Sequence, residues 1–497
     1  MNQRPASAPP CRTGIDPTEP CAIVVFGASG DLAHRKLLPA LFHLYRQGGL
    51  PRPATIVGAS RTPFTDESFR RHVSEGRSEP GWDEFVANLF YQPLAYDDPA
   101  AYQRLAERLD MLADQRASGG NRVFYLAVPP AVTPAIVEGL GAAGLHRESG
   151  TDGWARIVVE KPFGTDLASA RRLDAVMHQR FAEHQIFRID HYLAKETVQN
   201  ILVFRFANAI FEPVWNRSYI DHVGILASER LGIEHRAGYY EEAGVIRDMF
   251  QNHLMQLLAL TAMEPPSLFA ADRVQDEKVK VFRSLKPLTE INLADNLVLG
   301  QYGPGTVAGR PVPGYRQEPG VAPDSLTPTF AAMRLFIDNW RWRGVPFYLI
   351  SGKRLADKCS RIVVQFKEVP HSMFRHLVGE RIDPNRLVLG IAPREEIRLT
   401  FQAKRPGPTV CMQPVAMDFE YQDRTSLDAY ARVLLDCLHG DHMLFWRRDG
   451  IEASWAFLDP ILSACEDCAD RARRLQPYPA GSWGPEMVRP WIERILD

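Results

Sequence analysis

An unbroken apolar run from Cys21 to Phe26 passes directly into Gly27-Ala28-Ser29-Gly30-Asp31-Leu32-Ala33, and then into a helical pattern carried by Leu37, Leu38, Leu41 and Leu44. No other segment constrains the fold as much. A strand that turns on glycine into a helix opens a βαβ unit and commits that strand to a parallel sheet. With no Cβ at the turn, backbone N–H groups and the helix N-terminus can approach a pyrophosphate. The spacing departs from G-x-G-x-x-G, and such turns also occur as plain structure, so the turn alone leaves both readings open. Further strands are expected at Thr55–Gly58, Val123–Val128, Arg156–Glu160 and Gln185–Ile189, alternating with amphipathic helical segments as far as Asp190.

The ends of these strands carry the chemistry, because open parallel sheets bind ligands beyond their carboxyl edge. The second strand ends Gly58-Ala59-Ser60-Arg61, with no acid where NAD-specific sites place one for the ribose 2′-hydroxyl. A guanidinium suits a 2′-phosphate and Lys36 on the first helix adds charge, so NADP is expected over NAD. Another strand ends Glu160-Lys161-Pro162-Phe163-Gly164, which puts Lys161 at the ligand edge. The next runs Arg188-Ile189-Asp190-His191-Tyr192-Leu193-Ala194-Lys195-Glu196 into a helix. A lysine in a first helical turn opposes the macrodipole, and an anionic ligand relieves that conflict. His191, Tyr192, Lys195 and the helix N-terminus are therefore expected to form a phosphate pocket. On a later helix Ile246, Met249, Phe250, Leu254, Leu257 and Leu258 are spaced as a buried stripe, and His253 falls inside it. A buried imidazole needs a partner, either structural or catalytic. Asp190 at a strand end is the natural acid to orient it, and Asp248 lies upstream on the same helix.

Composition sets the outer limits. A chain of 497 residues exceeds the size at which one core stops growing, so two domains are expected. Lys plus Arg number 58 against 60 Asp plus Glu, which gives no basic field for nucleic acid or anionic lipid. The odd count of seven cysteines argues against a disulfide framework and for a reducing compartment; Cys465-x-x-Cys468 lacks the second pair that a metal site needs. No apolar stretch is long enough for a bilayer, and a cytoplasmic protein is expected. Residues 1–20, rich in proline and charge, read as a disordered tail; 21–190 form a nucleotide-binding domain and 191–497 a second domain. The Gly/Pro-dense stretch 303–328 reads as a long loop.

Taken together, the Gly27–Ala33 turn, Glu160-Lys-Pro-Phe-Gly164, the Arg188–Glu196 segment, Gln251-Asn-His253, Gly344-Val-Pro-Phe347 and Gly352-Lys353 closely resemble glucose-6-phosphate dehydrogenases, from about residue 21 to the C-terminus. The resemblance implies an α/β Rossmann-like domain followed by a larger α+β domain with a mostly antiparallel sheet. It implies oxidation of C1 of glucose 6-phosphate to the 6-phospho-lactone, with hydride passing to NADP, in the pentose phosphate pathway. Residue by residue, His253 matches the general base and Asp190 its orienting acid. His191, Tyr192 and Lys195 match the phosphate grip, while Lys161, Glu229, Asp248, Lys353 and Lys358 match groups that hold the sugar and its phosphate. Gly27, Ala28, Ser29, Gly30, Asp31, Leu32, Lys36, Arg61 and Lys161 match the nucleotide site; no metal is implied. Self-association as a homodimer or homotetramer is implied as well. The chain departs from the family pattern at Ala194, where glycine is usual, at Ile350, where many members carry arginine, and at Cys359, where animal members tend to be basic. The latter two argue against a second, structural NADP.

Overall fold

The computed structural model describes residues 15–16, 18–117, 119–148, 153–374, 382–420, 427–466 and 470–496. The tail expected for 1–20 therefore lies outside the described residues at 1–14 and 17. Its last residues pack on the fold: Thr18 is buried and donates to the Gly49 carbonyl at 3.0 Å, and Glu19 accepts from Trp154 Nε1 at 2.8 Å. Of the Cys465/Cys468 pair, Cys465 is buried near the end of the helix Arg448–Glu466, and Cys468 lies outside the described residues.

Two compact units divide the chain. The first takes the described parts of 1–161, 173–191 and 427–445, so a late segment returns to it. Its strands are β1 (Ala22–Phe26), β2 (Thr55–Ser60), β3 (Leu89–Pro93), β4 (Arg122–Leu126), β5 (Ala155–Val159) and β6 (Ile186–Ile189), all parallel, in the order 6-5-4-1-2-3. A two-residue strand, Phe445–Trp446, adds beside β6. Every residue of β1 and β2 is buried, as in a sheet covered on both faces, which is why these strands read as continuous apolar runs. The strand order reverses between β1 and β4, which is where such sheets open a ligand crevice. The helix Leu38–Arg46 packs against the returning helix Ala429–His439.

Arg188 in the middle of β6 is 1% exposed and has a structural task. It donates to Asp174 Oδ1 at 2.7 Å and to both oxygens of Glu183 at 2.8 and 3.0 Å. Removing one partner of such a buried pair strands the other charge, at a cost of about 3 to 5 kcal/mol. Arg188→Ala is accordingly expected to lower the denaturant midpoint of the protein by that order, while Arg188→Lys, which keeps the charge but loses the fork, recovers only part. A midpoint for Arg188→Ala equal to the parent's would contradict this role.

The second unit takes 162–172, the described parts of 192–426, and 446–497. Its strands are β7 (Ile220–Ser228), β8 (Leu297–Gly303), β9 (Gly305–Val307), β10 (Arg310–Val312), β11 (Phe330–Phe336), β12 (Pro346–Gly352), β13 (Cys359–Phe366), β14 (Arg386–Ala392), β15 (Glu396–Lys404), β16 (Met412–Glu420) and, after Phe445–Trp446 as β17, β18 (Leu475–Pro479). Nine of them form one sheet in the order 16-15-14-13-7-12-11-8-18, antiparallel except for the pairs β7/β12 and β8/β18. The stretch 303–328, expected as a loop, contains the β9/β10 hairpin and a turn of 3₁₀-helix at Tyr315–Gln317 whose Tyr315 is buried. Because β7 and β12 are parallel and β13 runs opposite, the ends of β7 and β12 and the start of β13 share one sheet edge. Glu229, Lys353 and Lys358 stand at that edge.

Candidate active site

In the first unit the glycine turn is built for close approach. Gly27 has φ +77°, and a Cβ there would lie 2.3 Å from the Ala127 carbonyl oxygen just past β4. Only glycine fits, and the ends of β1 and β4 come together as a result. The Ser29 hydroxyl lies 2.9 Å from that of Ser60 and accepts from Thr62 at 3.0 Å, tying the turn to the end of β2. Arg61 follows at once, exposed, with its guanidinium 5.9 Å from the Tyr96 ring. Burial raises the Tyr96 hydroxyl above its ordinary value, against the lowering effects of the Arg61 charge and a backbone hydrogen bond from Gly27. Arg61 and the glycine turn thus meet at one aromatic ring. Gly30 and Asp31 are exposed, Leu32 is half-buried and Ala28 is buried. Asp31 pairs with Arg35 at 2.6 Å on the surface. Lys36 is exposed on Ala33–Leu37, a π-wound turn rather than the α-helix expected there. This glycine cradle with a free-standing arginine beyond β2 fits a dinucleotide.

At the same sheet's carboxyl edge, Glu160 and Lys161 follow β5, and Asp190 and His191 follow β6. Asp190 is 1% exposed. Tyr125 donates to Glu160 Oε1 at 2.6 Å. Burial raises the Glu160 carboxyl above its ordinary value; the Tyr125 hydrogen bond and Lys161 pull it down, and Asp190 pushes it up. Lys161 and Asp190 are therefore electrostatic neighbours of one buried carboxyl. The His191 ring lies parallel to that of Tyr430, at 6.4 Å between centroids.

In the second unit His253 is 1% exposed, and its ring stacks on Tyr192 at 4.1 Å with 21° between planes. Its segment, Ile246–Leu254, is a π-helix that continues as the α-helix Met255–Ala262, where a single α-helix was expected. Asp248 on the same segment accepts from Tyr239 Oη at 3.2 Å and lies 3.9 Å from Lys353 Nζ. Lys353 is buried, donates to Glu229 and sits 5.0 Å from the centre of the Tyr240 ring. The sheet register places these groups, for Gly352 pairs with Ser228 and the next residues of the two strands emerge side by side. Burial first, and then the Asp248 charge, raise both the Tyr239 and the Tyr240 hydroxyls, which therefore remain donors. One ammonium with two carboxylates and a tyrosine hydroxyl is a set that suits neutral hydroxyl groups.

Two family models match the chain: the glucose-6-phosphate dehydrogenase NAD binding domain over residues 24–200 and the C-terminal domain of the same enzymes over 202–495. The chain belongs to the glucose-6-phosphate dehydrogenase family. It is 46% identical over 476 residues to the glucose-6-phosphate 1-dehydrogenase of Aggregatibacter actinomycetemcomitans, with 94% of each chain covered. It is 43% identical to that of Bacillus subtilis over 93% of this chain and 95% of the relative. Among solved structures it is similar to a glucose-6-phosphate dehydrogenase in complex with glucose 6-phosphate, at TM-score 0.88 and 35% identity over 97% of this chain and 98% of the other. The Mycobacterium avium enzyme gives TM-score 0.80 at 34% identity, over 95% of this chain and 96% of that one.

Against this family background the Lys195 region needs correction. Lys195 is the N-cap of the helix Glu196–Phe206, with φ −75° and ψ 133°, and so precedes the first turn. The first-turn N–H of Thr197 is already taken, since it donates to Glu395 Oε2 at 2.9 Å. That one first-turn donor is therefore taken by a carboxylate of the same chain. Tyr192 and Lys195 still form one turn, with the Lys195 N–H on the Tyr192 carbonyl at 3.2 Å. Ala194 does not take positive φ and is unstrained. Lys358 is exposed at the start of β13, and its backbone N–H donates to Asp357 Oδ1 at 2.6 Å; it shares the edge of the Lys353 group without joining it. Sequence reasoning missed Tyr239, Tyr240, Tyr430 and Glu395. The aromatic pair Tyr239-Tyr240, in the helix Ala237–Val245 that leads into Ile246–Leu254, was a usable signal for the first two. Glu395 arrives from the β14/β15 turn, far along the chain, and nothing local announces it.

Proposed function

We propose that the protein is a glucose-6-phosphate 1-dehydrogenase that oxidises C1 of glucose 6-phosphate to the 6-phospho-1,5-lactone and uses NADP in preference to NAD. The observation that carries this reading is the π-wound segment that bears both His253, stacked on Tyr192, and Asp248, held beside Lys353 and Glu229. Its placement suits a base and a set of hydroxyl ligands. The C1 hydroxyl proton passes to the His253 imidazole as hydride leaves C1, and a buried ring next to an aromatic face is kept in one orientation for that transfer. Asp190, two residues before Tyr192, orients the imidazole and stabilises its cation. Glu229, Asp248 and Lys353 hold sugar hydroxyls; His191, Tyr192, Lys195, Lys161 and Lys358 bind the phosphate end. A nicotinamide nucleotide in the first unit supplies the hydride acceptor. Gly27 to Leu32 hold its pyrophosphate, while Lys36 and Arg61 meet the 2′-phosphate. The family resemblance supports self-association as a dimer or tetramer.

The test is absorbance at the reduced-nicotinamide band with purified protein, glucose 6-phosphate and either nucleotide. Growth is expected with NADP and less with NAD; no growth with either would overturn the proposal. Arg61→Ala is expected to raise KM for NADP about 10- to 100-fold, the value of a lost charge-assisted contact, and to leave KM for NAD within about twofold. Equal losses for both nucleotides would remove Arg61 from the 2′-phosphate.

A further inference from the structure

The winding of the segment that carries His253 is itself a functional feature. In an α-helix each residue turns the chain by about 100°, so side chains five apart point about 140° away from each other. Asp248 and His253 are five apart. A π turn closes its hydrogen bonds from i to i+5 and, with more residues per turn than an α-helix, brings side chains at that spacing toward one face. The Met255 N–H is shared between the Asn252 and Phe250 carbonyls, and the second of these is a five-residue bond at the end of the segment. One side chain stands in the ladder upstream. Asn252 is 1% exposed; its Nδ2 donates to the Arg247 carbonyl at 3.4 Å, and its Oδ1 accepts from the His253 N–H at 2.6 Å. α-Winding would give that carbonyl to the Gln251 N–H and send the His253 N–H to the Met249 carbonyl. The Asn252 amide occupies both positions at once. Ser454 from the helix Arg448–Glu466 donates to the Gln251 carbonyl at 3.1 Å, at the same stretch of the ladder.

We infer that Asn252 is a positioning residue, whose side-chain amide holds the π-winding of Ile246–Leu254 and thereby keeps the His253 base and the Asp248 hydroxyl ligand on one face. This rests on the proposed roles of those two residues. If Asn252 is lost the segment relaxes toward α-winding, and the imidazole swings away from the substrate that Asp248 still holds.

Single-turnover formation of reduced nicotinamide, with enzyme in excess over glucose 6-phosphate, separates this from a merely structural role. With the enzyme in saturating excess, a misfolded fraction only lowers the concentration of competent sites and leaves the saturating rate constant alone. Asn252→Ala is expected to lower the rate constant about 10- to 100-fold, the effect of misplacing a reacting group by an ångström, with nucleotide affinity unchanged. Asn252→Asp, which keeps the acceptor for the His253 N–H, is expected to recover part of that loss. If the alanine variant does not fold, Asn252→Ser, whose hydroxyl cannot span both partners, decides in the same way. A saturating rate constant within twofold of the parent's overturns the inference. An inactive parent would instead overturn the proposed function, so the two failures are distinguishable.

Discussion

His253→Asn is expected to give a folded protein that binds glucose 6-phosphate with a KM close to the parent's and turns it over about 10²- to 10⁴-fold more slowly. Asparagine fills much of the imidazole volume and keeps a donor and an acceptor, so the buried site is neither emptied nor left with an unsatisfied group. What it cannot do is take a proton at neutral pH. An interaction made only as the proton moves lowers kcat and kcat/KM together, whereas one made equally in the ground state raises KM alone. The stack of His253 on Tyr192, at 4.1 Å, favours the first pattern, because the ring is held against an aromatic face before substrate arrives. Steady-state kinetics of parent and variant, with circular dichroism to confirm folding, are the measurement. Turnover within a few-fold of the parent would remove His253 as the base, and a selective rise in KM would make it a binding group.

Much of the nucleotide-binding unit was readable because its signals are local. Continuous apolar runs located β1, β2, β4, β5 and β6 to within a residue or two, and the glycine turn was readable because φ +77° and the nearby Ala127 carbonyl admit no side chain. β3 escaped notice: its burial alternates instead of running continuously, it ends on Pro93, and it lies at the sheet edge, where a missing N–H costs nothing. The returning segment 427–445 carries no mark of which unit it joins, since an amphipathic helix such as Ala429–His439 can cover either sheet. In the candidate site, burial was legible and geometry was not. The stripe that contains His253 was read correctly as buried, but the period of apolar residues over nine positions does not distinguish α from π-winding, which the Asn252 side chain appropriates from within. The sequence did not show that Lys195 caps the helix instead of lying in its first turn, nor that a distant carboxylate, Glu395, supplied by a strand turn nearly two hundred positions later, takes the Thr197 N–H. Long-range placement of this kind comes from sheet register, and register between β7 and β12 is also what sets Glu229 beside Lys353.

Lys353→Met is the second substitution expected to have a large effect, because Lys353 is the cation between two carboxylates. It donates to Glu229, lies 3.9 Å from Asp248 and faces the Tyr240 ring at 5.0 Å. Methionine preserves the length of the aliphatic stem, so packing changes little, but Glu229 and Asp248 are left without the ammonium. Truncating one member of a buried charged pair costs about 3 to 5 kcal/mol, and the cost is shared between folding and substrate binding. The single variant is therefore expected to unfold at lower denaturant and to lose at least about 10²-fold in kcat/KM for glucose 6-phosphate, with nucleotide affinity unchanged because that site lies in the other unit. The double variant Lys353→Met with Glu229→Gln separates the two shares. Neutralising Glu229 removes one of the two stranded charges, so the denaturant midpoint should return part of the way toward the parent's, while kcat/KM stays low if both groups hold sugar hydroxyls. If kcat/KM recovers together with stability, the group is a structural ion cluster, and the sugar must be held elsewhere. If stability recovers alone, Lys353 and Glu229 touch the substrate, and the parallel pairing of β7 with β12 is what brings them to it.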